Sequence, residues 1–556
     1  MSGFIDMDRL VYGPWPALER AVARFAEHYG FDDVRHVGGS GDRGADVVAS
    51  RKGKLYVFQA KHLKSGQIGP GAIDEVVRAL AAYKADIGVV VTNQSFTKTA
   101  QQRRDELKQH GIRIALWGYN RMLRNFDEKL EVVSAARHQL RPYQEEAVDC
   151  VEAKRGSGAD RALVLMATGL GKSLVAGELV ANELARNPTG EVLVLAHTTP
   201  LMYQLERSLW PCLPKHVPTH IWGDSEKPAY VGGVTVGMWQ TLIGAIKREN
   251  LAGRFSLVIV DEAHRAPAPQ YRSLVENLLP NFLVGMTATP WRGDKLPLDE
   301  PFGKPTYVMD LVEGMQQGYL ADVEYRMKSD DVDWEEIAQL SKAGYSKKQL
   351  NKKLFLPDRD EAIVRSVIAD LEAIESPRTI GFCRSIKHAE AMHRLFAAYG
   401  LPSVVIHGKL PKEERDHVLV RFRSGDAATI LAVEMLNEGI DIPDANVILF
   451  LRVTHSRRIF VQQLGRGLRV TPEKQSVTVL DYVADLDRLL DAERLNSQAR
   501  TGAEDPETIR YRDGRIVTFE DEGAESFAQS YLADIASIDP VDGDDGTGLR
   551  FPIRPE

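Results

Sequence analysis

A glycine turn that ends in lysine and serine precedes an acidic strand end in the middle of the chain. The turn runs from Met166 to Ser173, and the acidic segment runs from Val260 to His264. Backbone N–H groups of such a turn bind phosphates, while the lysine neutralises their charge and the serine faces a metal ion. The aspartate of the acidic pair suits Mg²⁺, and the glutamate can polarise water. The two segments together predict a site for ATP and Mg²⁺.

The strict form of this turn has glycine where Met166 stands, so the acidic segment is needed to support the interpretation. Ser173 and Asp261 are the expected metal ligands, and Glu262 is the expected catalytic residue. The full set of residues expected to bind the nucleotide from these two segments is Thr168, Gly169, Gly171, Lys172, Ser173, Asp261 and His264.

A second set of polar residues lies on two strand-like runs near the start of the chain. The runs are Ala45–Ser50 and Leu55–Lys61, and a Lys-Gly pair between them can form a two-residue hairpin turn. With that turn, the numbers of paired residues add up to 105, and Asp46 lies opposite Gln59 at about 5 Å. Lys61 shares their face because side chains alternate along a strand.

A carboxylate, an amide oxygen and an ammonium group on one sheet face are typical of a metal-dependent phosphodiesterase. Asp46 would bind Mg²⁺, and the Gln59 oxygen would be a further ligand. Lys61 would position or activate the attacking water. A three-residue turn would instead put Gln59 on the face opposite to Asp46. The prediction therefore depends on the register of the hairpin.

Buried strands and amphipathic helices must position both sets of residues. An amphipathic helical stretch that includes Leu18, Val22 and Phe25 precedes the hairpin. Farther along, apolar runs alternate with helical patterns, which is typical of parallel strands buried on both faces. The runs expected to form these strands are Val192–Ala196, Val234–Gly237, Leu257–Val260, Phe282–Gly285, Thr379–Cys383, Ser403–His407, Thr429–Val433, Val447–Leu451 and Val477–Leu480. We therefore expect an α/β fold.

Four further motifs accompany the glycine turn and the acidic segment in a fixed order. They are Leu140–Gln144, Gly285–Pro290, Glu438–Pro443 and Gln462–Arg469. The ordered set resembles the helicases and translocases of superfamily two, and in particular the DEAH-type motors of type I and type III restriction enzymes. The resemblance extends from about residue 138 to about residue 484. It implies two RecA-like domains with ATP in the cleft between them.

The resemblance assigns roles to residues by their positions in the motifs. Gln144 would read the adenine, and Thr287 and Thr289 would couple hydrolysis to movement. Four residues of the second RecA-like domain would reach the nucleotide, namely Gly439, Asp441, Arg466 and Arg469. The two arginines would be arginine fingers. The alternative is that they form surface ion pairs on one helical face.

The segment Gly39–Asp46, together with Gln59 and Lys61, resembles the Mrr family of restriction endonucleases. This family has the PD-(D/E)xK nuclease fold, here in the variant with glutamine in place of the acidic residue. The resemblance covers most of residues 10–125. It implies that Glu19, on the first helix, assists the metal site. The alternatives are that Glu19 is a solvated helix residue and that the other three residues are structural or no longer cut DNA.

Length and composition agree with a multidomain protein of 556 residues and a formal charge of −8. The expected parts are a nuclease domain at 1–130, a linker at 131–139, RecA-like domains at 140–310 and 311–485, and an acidic, partly disordered tail at 486–556. Three scattered cysteines, no signal peptide and no bilayer-spanning apolar run favour a cytoplasmic protein without a membrane partner.

These features predict an ATP-dependent DNA helicase or translocase that also cuts DNA with Mg²⁺ in the restriction of foreign DNA. The expected partner is double-stranded DNA, and no base-reading module is recognisable, so partner subunits could select the target. Two alternatives stay open. One is a repair helicase for branched or damaged DNA, and the other is an ATP-driven DNA sensor that does not cut.

Overall fold

The structure is a computed structural model, and its chain forms two compact units. The first comprises Met1–Met166 and Gly171–Val308, and the second comprises Ala167–Leu170 and Met309–Glu556. The residues that the structure describes are 4, 10, 15–37, 44–128, 139–224, 226–228, 232–265, 269–288, 299–327, 357–423, 425–433, 445–451, 474, 476–481 and 517–519.

The N-terminal part of the first unit, here called the N-terminal domain, is a five-stranded sheet with helices on both faces. Its strand order is β1-β2-β3-β5-β7, and β4 pairs with β6 in a separate two-stranded sheet. Its elements are α1 (Trp15–His28), β1 (Asp32–His36), β2 (Val47–Arg51), β3 (Lys54–Lys61), β4 (Gln67–Ile68), α2 (Gly71–Tyr83), β5 (Ile87–Thr92), β6 (Ser95–Phe96), α3 (Lys98–Gln109), β7 (Ile114–Trp117) and α4 (Tyr119–Glu128).

Two apolar clusters cover the two faces of this sheet. Leu18, Val22 and Phe25 of α1 pack in one cluster with Val47 and Phe58. The second cluster joins α2 and α3 to the residues that alternate with these on the strands, such as Val48 and Val57. The alternation follows from the two-residue period of a strand. The amphipathic helix that the sequence predicts before the hairpin is confirmed.

The hairpin of β2 and β3 has the register that the sequence predicts. The strands are antiparallel, and their pairs run from Val47 with Phe58 to Arg51 with Lys54, so that each pair adds up to 105. Lys52 and Gly53 form the turn, with φ angles of 51° and 70°. Positive φ at both central residues is the requirement of a type I′ turn, which glycine meets without strain. The two-residue turn is therefore confirmed.

The rest of the first unit, here called the central domain, is built on a seven-stranded sheet. The order is β10-β11-β9-β12-β13-β8-β14, and the strands from β10 to β8 in this order pair in parallel. Its elements are α5 (Pro142–Gly156), β8 (Arg161–Met166), α6 (Lys172–Arg186), β9 (Glu191–Ala196), α7 (Thr199–Leu209), β10 (Thr219–Trp222), β11 (Gly233–Met238), α8 (Trp239–Ala245), β12 (Leu257–Asp261), α9 (Pro269–Leu278), β13 (Phe282–Thr287), α10 (Asp299–Phe302) and β14 (Tyr307–Met309).

The second unit contains another seven-stranded sheet, in the order β17-β18-β16-β19-β20-β15-β21, with parallel pairing. Its elements are α11 (Leu311–Gln316), β15 (Asp322–Met327), α12 (Pro357–Glu372), β16 (Thr379–Cys383), α13 (Ile386–Ala398), β17 (Ser403–His407), α14 (Lys412–Arg423), β18 (Thr429–Val433), β19 (Val447–Leu451), β20 (Ser476–Asp481) and β21 (Val517–Phe519). All nine parallel strands that the sequence predicts are present.

The sequence did not predict several of the described strands, among them β10, β15 and β21. The last of these lies within the segment expected to be an acidic, partly disordered tail, and it pairs in parallel with β15. Val517–Phe519 is too short to show a periodic pattern, so composition dominated the prediction. Apart from this strand, the tail lies outside the described residues, as does most of the polar segment before α12. Among the described residues, no helix is both long and apolar enough to cross a bilayer.

Candidate functional site

Asp46 and Gln59 meet where β2 and β3 separate. The Gln59 Nε2 donates a hydrogen bond of 2.7 Å to the Asp46 carboxylate, which also accepts one from the backbone N–H of Ala60 at 2.5 Å. Asp46 and Gln59 are 2% and 4% exposed. Asp46 and Gln59 therefore lie opposite each other, as the register of the hairpin predicts.

The amide oxygen of Gln59 gives this pair a feature expected of a ligand site. Gln59 Oε1 is buried, and no hydrogen bond to it is found. A buried acceptor without a donor is costly, and a cation would satisfy it. Within the described ranges, no group of three or more His, Cys, Asp or Glu side chains could hold a metal. A carboxylate with an amide oxygen nevertheless suits Mg²⁺, which keeps several waters and is held by one or two carboxylates.

Lys61 is the third predicted residue, and its ammonium group contacts a carboxylate that the sequence did not point to. Lys61 Nζ lies 2.5 Å from Glu75 Oε2, and the two side chains are 30% and 33% exposed. Glu75 belongs to α2, which packs over the face of β3 that carries Val57. Gln59 and Lys61 share that face because they follow Val57 at intervals of two. Glu75 was missed because no local motif contains it.

Glu19, which the family resemblance assigns to the metal site, has a partner on β1. Its Oε2 lies 2.7 Å from His36 Nε2, and the glutamate is 4% exposed. The alternative that Glu19 is a solvated helix residue is therefore excluded, since the carboxylate is buried. Its assistance to a metal stays a prediction.

The glycine turn connects β8 to α6 and has the backbone that a phosphate-binding loop requires. Gly169 and Gly171 have φ angles of 93° and 82°, which favour glycine. A Cβ at Gly171 would collide with the side-chain amide of Gln144, so the glycine allows this glutamine to approach the loop. Lys172 donates from Nζ to the carbonyl oxygen of Met166 at 3.0 Å, across the loop. Thr168 lies in the loop, and Ser173 lies in the first turn of α6.

The acidic segment ends β12 in the same unit. Burial raises the pKa of Asp261 to about 7, and the carboxylate of Glu262 adds to the rise, while the positive charge of Lys172 opposes it. Opposition by Lys172 indicates that its ammonium group and Asp261 are close enough to interact. Glu262 has a φ of 50°, an uncommon conformation for a non-glycine residue. Such strain at a strand end is typical of functional sites.

His264 connects the acidic segment to the following strand. Its Nδ1 lies 3.0 Å from the hydroxyl of Thr287 on β13 and 3.2 Å from Glu262 Oε2. The histidine and the threonine are fully buried. His264 thus connects the expected catalytic glutamate to Thr287, which belongs to the motif Gly285–Pro290 at the end of β13. The remaining predicted residues, Thr289, Gly439, Asp441, Arg466 and Arg469, lie outside the described residues.

A buried ion cluster joins the N-terminal domain to the central domain. The Arg20 guanidinium lies 3.0 Å from Glu206 and 2.5 Å from Glu226, and all three side chains are no more than 6% exposed. Burial by itself would lower the pKa of Arg20, but the two carboxylates raise it above its ordinary value. Arg20, Glu206 and Glu226 are called the docking cluster below. They were not predicted, since nothing in the sequence pairs residues so far apart.

Further contacts extend this interface along α1. Arg24 is 1% exposed and donates to the carbonyl oxygens of Val217 at 2.9 Å and Pro214 at 3.3 Å. Trp210 of the central domain packs in the same apolar cluster as α1. Lys215 donates to the carbonyl oxygen of Phe126 at 2.7 Å. The site of Asp46 and Gln59 therefore belongs to a domain that buried polar contacts hold against the domain carrying Lys172.

Three segments of the chain match models of known families. Residues 13–125 match a restriction endonuclease family of the Mrr type. Residues 137–292 match the res subunit of type III restriction enzymes, and residues 360–471 match the conserved C-terminal domain of helicases. These matches confirm both resemblances predicted from the motifs. They also imply use of ATP by the helicase part and of a divalent metal by the endonuclease part.

Curated relatives share about a quarter of the aligned residues. The type I restriction enzyme EcoAI endonuclease subunit of Escherichia coli is 24% identical over 374 residues, which cover 62% of this chain and 46% of that protein. The DNA 3′-5′ translocase XPB2 of Sulfurisphaera tokodaii is 27% identical over 369 residues, which cover 60% and 79%. The chain spans 51%, 63% and 46% of the lengths of three such relatives, or about half.

A solved structure shares the fold. The ATP-dependent Type ISP restriction-modification enzyme LlaBIII bound to DNA matches 93% of this chain and 41% of its own chain, with a TM-score of 0.55 and 17% identity. This confirms the expected fold class, an endonuclease-like N-terminal domain followed by two RecA-like parallel-sheet domains.

Proposed function

We propose that this chain, a restriction-enzyme-like helicase with an Mrr-type endonuclease domain, couples ATP-driven movement on double-stranded DNA to cutting of that DNA. The proposed metal of both sites is Mg²⁺, and the proposed role is the restriction of foreign DNA. The single observation that carries the proposal is the docking cluster, because it holds the domain with Asp46 and Lys61 against the domain with Lys172 and Asp261.

The docking cluster supports coupling because it is buried rather than exposed. An exposed ion pair contributes about 0–1 kcal/mol and would let the two domains separate. Removing one partner of a buried pair costs about 3–5 kcal/mol, since a charge is left without a counterion. The N-terminal domain is thus expected to move with the central domain as the motor advances. The N-terminal domain would then cut the DNA at the position that the motor has reached.

In the endonuclease domain, Asp46 and the amide oxygen of Gln59 would hold Mg²⁺, which would stabilise the charge that develops on the phosphate. Lys61 lies on the same face and would orient the attacking water from the solvent side, since its side chain is 30% exposed. The hydrogen bond from Gln59 Nε2 keeps the Asp46 carboxylate turned toward the amide. Pre-organised ligands of this kind lower the reorganisation that the reaction requires.

In the central domain, Lys172 and the N-terminus of α6 would bind the phosphates of ATP. Asp261 and Ser173 would hold the accompanying Mg²⁺, and the cation would lower the pKa of Asp261 from the raised value that burial imposes. Glu262 would polarise the attacking water, and its contact with His264 fixes the carboxylate. The contact of His264 with Thr287 would link hydrolysis to the motif Gly285–Pro290, whose threonines are expected to couple it to movement.

Separate loss of the two activities tests this proposal. Lys172→Ala is expected to remove DNA-stimulated ATPase, while Asp46→Ala and Lys61→Ala are expected to remove plasmid cutting and keep ATPase. Lys64→Ala and Lys247→Ala, which alter exposed lysines of the same two domains, are the matched controls. ATP turnover and nicking of supercoiled plasmid are measured on the same preparations.

The endonuclease assignment is wrong if Asp46→Ala and Lys61→Ala both cut plasmid at the wild-type rate. Wild-type protein that binds DNA and hydrolyses ATP but never cuts would instead support a non-cutting DNA sensor. Faster turnover on forks or flaps than on plain duplex would support a repair helicase.

A further inference from the structure

The ammonium group of Lys61 forms an ion pair with Glu75, whose Oε2 lies 2.5 Å from Lys61 Nζ. We propose that Glu75 is a positioning residue for DNA cutting, which holds Lys61 away from Asp46 and so leaves Asp46 available to a divalent cation. This inference rests on the proposed function of the endonuclease domain.

The backbone at Glu75 is held close to the segment that leads to Asp46. Gly44 has a φ of 85°, and a Cβ at this residue would collide with the carbonyl oxygen of Glu75. Only Ala45 separates Gly44 from Asp46, so α2 packs closely against the segment that carries Asp46. On the other side, Asp74 accepts from Arg103 of α3 at 3.2 Å. The first turn of α2 is therefore anchored both to the site and to α3.

The face of β3 determines what Lys61 can reach. Gln59 and Lys61 alternate with Phe58 and Ala60, so both lie on the face covered by α2. Asp46 is hydrogen bonded to Gln59, the neighbour of Lys61 on this face. A long, flexible lysine side chain on this face has two carboxylates available, Asp46 and Glu75. In the structure, Lys61 pairs with Glu75.

The net charge next to Asp46 depends on which carboxylate Lys61 pairs with. Gln59 is neutral, so Asp46 and Lys61 alone would cancel each other. Glu75 adds a negative charge and pairs with the lysine. An ammonium group in direct contact with Asp46 would repel a divalent cation by about 2 kcal/mol at 4 Å in water, and the ion pair with Glu75 avoids this repulsion. Loss of Glu75 is therefore expected to weaken cation binding through Lys61.

Titration of the full chain with Mn²⁺, without nucleotide or DNA, tests this inference. Electron paramagnetic resonance measures the free ion and so gives the bound fraction. All proteins carry Asp261→Asn, which removes the carboxylate expected to bind the metal of the nucleotide site. Glu75→Gln is expected to weaken Mn²⁺ binding roughly thirtyfold, the effect of an ammonium group about 4 Å from a divalent cation in water. Adding Lys61→Met to Glu75→Gln is expected to restore binding, since the competing ammonium group is gone. The single variant Glu75→Asp is expected to bind Mn²⁺ with an affinity between those of wild type and Glu75→Gln.

Cutting is measured in parallel without the Asp261 change. Glu75→Gln is expected to lower kcat for plasmid cutting about tenfold or more while KM for DNA and the ATPase rate stay unchanged, because Lys61 is misplaced. Thermal unfolding of Glu75→Gln should match wild type, which excludes a general loss of structure.

Two results would overturn the inference and leave the proposed function intact. One is wild-type Mn²⁺ binding and cutting in Glu75→Gln while Asp46→Ala loses both, which would make the ion pair an ordinary surface contact. The other is weak binding that Lys61→Met does not restore, which would make Glu75 a direct ligand. Wild-type binding and cutting in Asp46→Ala would contradict the proposed function itself.

Discussion

The guanidinium of Arg20 in the N-terminal domain lies 2.5 Å from the carboxylate of Glu226 in the central domain, and each side chain is 6% exposed. Arg20 stands next to Glu19, whose carboxylate contacts His36 of the endonuclease sheet. One helix, α1, therefore carries both an internal contact of the endonuclease domain and the docking cluster. The proposed coupling predicts that movement of the central domain reaches the endonuclease domain along this helix.

Arg20→Met is expected to lower the free energy of unfolding by about 3–5 kcal/mol, because Glu206 and Glu226 lose their counterion in a buried place. Urea denaturation of the full chain measures this. Arg103→Met, which removes an ion pair of a far more exposed arginine, is the control and should cost about 1 kcal/mol or less. Equal costs for the two variants would show that the docking cluster is not buried in solution.

Gly44→Ala is expected to destabilise the endonuclease domain more than Gly53→Ala does. Both glycines have positive φ angles, of 85° and 70°, so both variants carry backbone strain of about 1 kcal/mol. Only the Cβ at residue 44 meets a backbone atom, the carbonyl oxygen of Glu75, whereas none lies within 4 Å of a Cβ at residue 53. Thermal unfolding of both variants measures the difference. Equal melting temperatures would contradict the close approach of Gly44 to α2.

Gln59→Glu is expected to make the protein more dependent on Mg²⁺ for its stability. A second buried carboxylate beside Asp46 repels it, so the melting temperature should fall in EDTA. Addition of Mg²⁺ should raise the melting temperature of this variant more than that of wild type, because the cation neutralises the pair. Gln67→Glu, at an exposed position of β4, is the control. A response to Mg²⁺ no larger than the wild-type response would argue against a metal at Asp46 and Gln59.

Asp261→Asn is expected to stabilise the nucleotide-free protein in a pH-dependent way while abolishing ATPase. The pKa of Asp261 is about 7 in the folded protein and 3.8 ordinarily, so the folded form keeps a proton that the unfolded form has lost between these values. Wild-type stability attributable to this group therefore falls as pH rises from about 4 to about 7. The asparagine variant lacks this loss, and its advantage in melting temperature should grow across that window and then level off. A constant difference from pH 4 to pH 8 would contradict the raised pKa.

Much of the fold was predictable because its strands are short apolar runs between helical patterns. Thr379–Cys383 and Val447–Leu451, for example, are buried along their whole length and have the bounds that the sequence predicts. The hairpin register was predictable from one Lys-Gly turn. The strands β10, β15 and β21 were not, because they are short or mix charged residues with apolar ones, as Asp322–Met327 does between its two neighbours β20 and β21.

The chemistry of the two sites followed from local motifs, but the contacts that support them did not. Lys61 lies in a recognisable motif, whereas Glu75 reaches it from another element after the chain has folded. The same holds for Arg20, whose two partners belong to a different domain. Contacts of this kind depend on tertiary packing, which leaves no periodic signal in the sequence.

The rate of cutting of covalently closed plasmid by the wild-type protein, with Mg²⁺ and either ATP or a non-hydrolysable analogue, tests most directly whether one chain couples the two chemistries. We expect double-strand or single-strand breaks with ATP and intact plasmid with the analogue, while Lys172→Ala leaves the plasmid intact in both. Equal cutting with ATP, with the analogue and without nucleotide would show that the endonuclease acts independently of the motor and would contradict the central claim.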